Sequence, residues 1–104
     1  MNMYARRTDA NHSQIVKAFR DLGCSVFDTS RIGQGFPDVV VGKNGITVLV
    51  EIKADAKKKF TTAQDLFMMN WKGSTVSRIQ DIEGVINLVK MLDNANQTDK
   101  MVHG

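Results

Sequence analysis

Cysteine, proline, tryptophan and tyrosine each occur once in this chain, and histidine twice. A single cysteine excludes an internal disulfide framework and a thiolate zinc site, and fits a reducing, intracellular setting. Cys24 follows a helical pattern and opens an apolar run, so it reads as a small core residue; no local partner base marks it as a nucleophile. Trp71, the one tryptophan, lies at helix-face spacing from Phe67, and the pair reads as core rather than as a stacking platform for bases. No stretch approaches the roughly 18 apolar residues that a membrane span needs. The opening "MNMYARRTDANH" has arginines with no apolar run behind them, unlike a secretory signal. The expectation is a soluble, cytoplasmic protein with no membrane partner.

What is present is ordinary in amount. Apolar residues make up 42% and charged residues 24% of 104 residues, enough for one core and one domain. A net charge of +3 and a pI near 9.2 suit an anionic partner, but surface lysines also serve solubility alone.

Residues 8–23 carry Ile15, Val16, Ala18, Phe19 and Leu22 on one stripe, which predicts an amphipathic helix capped by Thr8, Asp9 or Asn11 and stopped at Gly23. "CSVFDTS" predicts a first strand. The breaker segment "RIGQGFP" leads to strands at 38–43 and 46–53, joined by Asn44-Gly45, a strong two-residue hairpin signal. After the basic loop "ADAKKKF", Thr61 or Thr62 caps a helix to about Lys72 with Ala63, Leu66, Phe67 and Trp71 on one face. "STVSRI" predicts a short strand. Ile82, Val85, Ile86, Val89 and Leu92 mark a last helix. The predicted fold is α/β, a small mixed sheet flanked by helices in the order α-β-β-β-α-β-α. Residues 1–93 form its single domain, and the polar, unpatterned 94–104 are expected to be a flexible tail.

The Asn-Gly turn fixes a register. With Asn44 and Gly45 as the loop, Lys43 pairs with Ile46, and counting back sets Asp38 opposite Glu51. Opposed residues share a sheet face, with Cβ atoms roughly 4.5–5.5 Å apart. Alternation puts Lys53 on that face too. Two opposed carboxylates beside Val and Leu runs repel unless a cation stands between them. A lysine supplies one charge, and Mg²⁺ with its preference for hard oxygen ligands would supply two more. The competing reading is a structural ion bridge at a strand end, in a small α/β interaction protein.

"PD" at 37–38, twelve intervening residues and "EIK" at 51–53 resemble the PD-(D/E)XK nuclease motif. Within that superfamily the chain is most similar to the stand-alone VRR-Nuc proteins of bacteria and their phages. The resemblance runs from about Asp9 to Val89. It includes "SRIGQGFPD", "TTAQDLFMMNW" with a glutamine one turn into the helix, and "VSR" at 76–78, where Ser77 replaces the first arginine of the family's name. The resemblance implies a restriction-endonuclease-like core in a bacterial cytoplasm. It implies Mg²⁺- or Mn²⁺-dependent cleavage of DNA phosphodiesters and no small-molecule cofactor. Asp38, Glu51 and the Ile52 carbonyl would be metal ligands, Lys53 the catalytic lysine and Gln64 an auxiliary polar group. A layout like that of archaeal Holliday-junction resolvases implies a homodimer acting on branched DNA.

The family usually carries a glutamate on the first helix, in a pattern such as "N-x-x-E-I-V". This chain has "NHSQIV", with Gln14 at that position. Three readings follow: an inactivated variant, a natural member that binds DNA structures but cuts poorly, or a site assisted by His12. His12 itself reads as a surface residue near the helix start. Arg31, Lys57, Lys58, Lys59 and Arg78 are the expected DNA contacts, with Arg6, Arg7, Lys17 and Arg20 adding positive charge. Gly35 would let a phosphate backbone approach closely.

Overall fold

The computed structural model of the chain describes residues 9–103, and the side chains of 9–95. Three helices and four strands follow one another as α1 (His12–Asp21), β1 (Ser25–Asp28), β2 (Val39–Lys43), β3 (Ile46–Ile52), α2 (Thr62–Asn70), β4 (Ser77–Ile79) and α3 (Ile82–His103). The strands form one mixed sheet in the order β1-β2-β3-β4. The first three pair antiparallel, while β4 runs parallel to β3 because α2 carries the chain back across the sheet.

One sheet face is the core. Val39, Val41, Val50, Ile52 and Ile79 pack beneath Ile15, Val16 and Phe19 of α1 and Val85, Leu88, Val89 and Leu92 of α3. Phe19 and Val85 are fully enclosed. Removing a buried aromatic of this kind costs about 3–5 kcal/mol, which makes Phe19 the main anchor of α1. At the far end, Lys43 Nζ and Asn44 Nδ2 both donate to Asp93 Oδ1, at 2.5 and 2.7 Å, and tie the hairpin turn to α3. Asn44 and Gly45 have φ of 56° and 78°, as a type I′ turn requires.

The opposite face is only partly covered. Phe27 is 72% exposed there, and its ladder neighbours Val40 and Leu49 are half-buried. α2 covers the end that holds Asp38 and Glu51.

The hairpin strands match the sequence-based expectation to within one residue, and four other elements differ from it. β1 stops at Asp28 because Asp28 Oδ1 accepts from Ser30 N and Oγ, at 2.9 and 2.6 Å, turning the chain. α2 ends at Asn70 with Trp71 already extended, and its predicted apolar face is not core: Ala63, Leu66 and Trp71 are exposed and Phe67 is half-buried. The only buried side chain of α2 is Gln64, so the helix docks by its first turn and overhangs beyond it. β4 is three residues long, Ser77–Ile79, shorter than the predicted 74–79. α3 continues to His103 rather than ending near Asp93; no glycine or proline interrupts residues 85–103 to stop it. Among the described residues no helix is long and apolar enough to cross a membrane.

Candidate active site

The hairpin register pairs Lys43 with Ile46 and Val39 with Val50. One step further along the ladder brings Asp38 to the level of Glu51. Asp38 Oδ2 accepts from Ile52 N at 2.8 Å, so the carboxylate holds the end of β3 as well as facing its neighbours. Asp38, Glu51 and Lys53 are 5%, 3% and 5% exposed, and Gln64 from α2 is 3% exposed. Four polar side chains buried this deeply need hydrogen-bond partners within the protein.

Gln64 does most of that joining. Its Nε2 donates to Glu51 Oε1 at 2.5 Å, and its Oε1 accepts from Lys53 Nζ at 2.8 Å. Lys53 Nζ lies 3.9 Å from Glu51 Oε1, so the amide bridges an ion pair too long for a good direct hydrogen bond. The same Oε1 accepts from Thr61 N at 2.8 Å, and Gln64 N donates to Thr61 Oγ1 at 3.2 Å. That reciprocal cap starts α2 and aims Gln64 at the sheet. Phe60 closes the side of the cluster, its ring centroid 5.4 Å from Lys53 Nζ.

Asp38, Glu51, Lys53 and Gln64 line a cavity of about 530 Å³, together with Asp9, Ala10, Ile52, Ala54, Lys58 and Thr61. Asp9 is the acid that the segment preceding α1 supplies; its side chain is 12% exposed, and Lys58 Nζ donates to its Oδ1 at 2.9 Å. Gln14 is exposed on α1 and does not line the cavity, which corrects its place in the expected site. The clue was available in "TDAN", where Asp9 reads equally well as a helix cap. The actual N-cap position is Asn11, whose side chain makes no capping bond. Its Nδ2 instead donates to Lys53 O and Gln80 O, at 3.0 and 2.8 Å, pinning the start of α1 to the ends of β3 and β4.

The expected DNA contacts separate into three groups. Arg31, Lys57 and Lys59 are exposed. Lys58 lines the cavity, and Arg78 fixes the basic loop by donating to Asp55 O and Lys58 O, at 2.8 and 2.7 Å, while its guanidinium lies 5.2 Å from the Phe60 centroid. Gly35 is buried, and a Cβ there would stand 2.1 Å from Ala63 O. Its missing side chain therefore makes room for α2, not for a phosphate.

His12 is buried, not a surface residue, with Nε2 2.9 Å from Asp28 Oδ2. Burial by itself raises the Asp28 carboxyl, but donation from Ser30 and His12 outweighs it and brings the pKa down to about 2. This pair joins α1 to β1 and does not line the cavity of Asp38 and Glu51. Cys24 is buried, and that burial pushes its thiol up despite the nearby Lys43, as suits an unreactive core residue.

Among the described residues no group of three or more His, Cys, Asp and Glu side chains is placed to hold a metal. Asp38 and Glu51 with the Ile52 main chain form a smaller set, all hard oxygen donors, and that chemistry fits Mg²⁺ or Mn²⁺, which keep several waters and need few protein ligands. No family model, curated protein or solved structure matches the chain.

Proposed function

We propose that the chain is a divalent-metal-dependent DNA endonuclease with a restriction-endonuclease-like core, a member of the VRR-Nuc family. One observation carries the reading: Asp38, Glu51, Lys53 and Gln64 are all buried and line one open cavity, with Gln64 hydrogen-bonded to both Glu51 and Lys53. A merely structural ion bridge would gain nothing from a cavity in front of it. The lysine-bearing loop at 57–59 next to that cavity suits a phosphate backbone.

Asp38, Glu51 and the Ile52 carbonyl would hold Mg²⁺ or Mn²⁺. Bound there, the ion would acidify a water and polarise the phosphoryl oxygens. Lys53, held by Gln64, would stabilise negative charge developing on the attacked phosphate. Gln64 acts through Lys53 and Glu51 and is a positioning residue. A homodimer on branched DNA would bring two such cavities to two strands. The second reading, a DNA-structure-binding module that cuts poorly, rested on Gln14, and Gln14 lies outside the cavity.

The test is cleavage of a labelled four-way junction beside linear duplex, flap and single strand, with Mn²⁺ or with chelator. Cleavage is expected only with the metal, and Asp38→Ala and Lys53→Ala should each abolish it while circular dichroism shows the fold retained. Full activity in either folded variant refutes the assignment. Junction binding without cleavage at any metal concentration supports the binding module instead.

A further inference from the structure

A second hollow, of about 480 Å³, lies on α2 and is lined by Gln34, Ala63, Leu66, Phe67, Asn70 and Trp71. Its lining is aromatic on one side. The Phe67 and Trp71 rings stack with centroids 5.3 Å apart and planes 19° apart, and Phe36 meets Phe67 edge-on at 5.3 Å. The assembly is open to solvent: Trp71 is 42% and Leu66 52% exposed. Two exposed amides complete it. Asn70 Nδ2 donates back to Leu66 O at 3.0 Å, and Gln34 is held at a φ of 56°, uncommon for a residue with a side chain. The Gln34 loop sits against α2 through Gly35, whose close approach to Ala63 and Gln64 also fixes the first cavity. No carboxylate lines the hollow.

We infer that this hollow takes an unpaired nucleobase of the DNA whose phosphodiester lies at the Asp38–Glu51–Lys53 cavity, so that the substrate class is DNA with an unstacked base beside the cut. The inference rests on the nuclease reading above. An exposed aromatic pair offers a base the same face that stacking within a strand would. Amides both donate and accept, as the edges of a base do. From Gln64 to Trp71 along α2 is about 10 Å, the rise of about three stacked nucleotides, so one strand reaches both places. A second copy of the chain is the competing occupant of this face, and the titration below distinguishes it.

Trp71 is the only tryptophan, so its fluorescence reports the hollow directly. The full chain, kept in chelator to prevent cleavage, is titrated with a junction carrying one unpaired base, a single strand and a continuous duplex. Quenching is expected with the first two and not with the duplex. Trp71→Ala should weaken binding to the unpaired-base junction about tenfold, within the range that base–aromatic stacking carries. Trp71→Phe should restore most of that affinity. Should Trp71→Ala fail to fold, Leu66→Glu, at an exposed helix position, puts a carboxylate in the hollow and should weaken the same DNA. Equal quenching by duplex, or unchanged affinity in the folded variants, overturns the inference. A fluorescence change with protein concentration alone overturns it in favour of self-association. Parallel cleavage with Mn²⁺ separates the two readings: cutting without quenching removes the base subsite and leaves the nuclease, whereas quenching without cutting keeps the subsite and removes the nuclease.

Discussion

Gln64 links Glu51 and Lys53, which are otherwise 3.9 Å apart and almost sealed from water. Gln64→Leu removes both links and leaves a buried carboxylate and a buried ammonium each short of one partner. An unsatisfied buried group costs about 1–3 kcal/mol, so urea unfolding should show a loss of at least that size. No loss would mean that water replaces the amide and the cluster is looser than its distances indicate. The importance of this glutamine was only half legible. A threonine cap at 61 or 62 and a glutamine one turn into the helix were legible, but the pattern cannot say which way a polar helix residue faces. Asp9 was hidden for a related reason, since an acid three residues before a helix has an ordinary use as a cap. Gln14 drew attention only through resemblance, and it stands exposed on α1, outside the residues that line the cavity.

Among the elements, the β2–β3 hairpin was the most legible, because Asn-Gly between apolar runs leaves a single register and that register brings Asp38 level with Glu51. α2 was the least. Ala63, Leu66, Phe67 and Trp71 do gather on one side, as periodicity required, yet periodicity says which residues share a face and not whether anything covers it. What holds α2 in place is its capped first turn and the loop beneath it, and Gly35 tests this. Gly35→Ala adds a Cβ at a φ of 79° and 2.1 Å from the Ala63 carbonyl oxygen. The backbone angle alone costs about 1–2 kcal/mol, the amount expected from Gly33→Ala, where a Cβ meets nothing within 4 Å at a φ of 75°. Gly35→Ala should therefore cost clearly more than Gly33→Ala in urea unfolding, and it should impair cleavage by shifting Gln64. Equal losses in the two variants would show that contact with α2 contributes nothing.

Across the whole molecule, the two sheet faces divide the labour. The face under α1 and α3 is apolar and supplies cohesion, which is why hydrophobic spacing, together with turn and cap residues, made the order of helices and strands readable. The other face carries the buried charges and stays partly open, and there the sequence pattern is interrupted rather than periodic. A net charge of +3 is too small to steer DNA by itself, so the distribution has to matter more than the sum. The loop between β3 and α2 concentrates three consecutive lysines beside the cavity. Lys58 is committed to Asp9, and Arg78 braces the loop through main-chain oxygens, which leaves the exposed Lys57 and Lys59 as its side chains best placed for phosphate. If each meets one phosphate of duplex DNA, the slope of log affinity against log salt should flatten by about 1.8 when both become alanine, since each contact contributes about 0.9. Affinity should fall at low salt and converge with the parent's at high salt, with thermal stability unchanged because both side chains are exposed. Fluorescence anisotropy with labelled duplex across a salt series measures all of this, and an unaltered slope would mean that DNA approaches the cavity from another side.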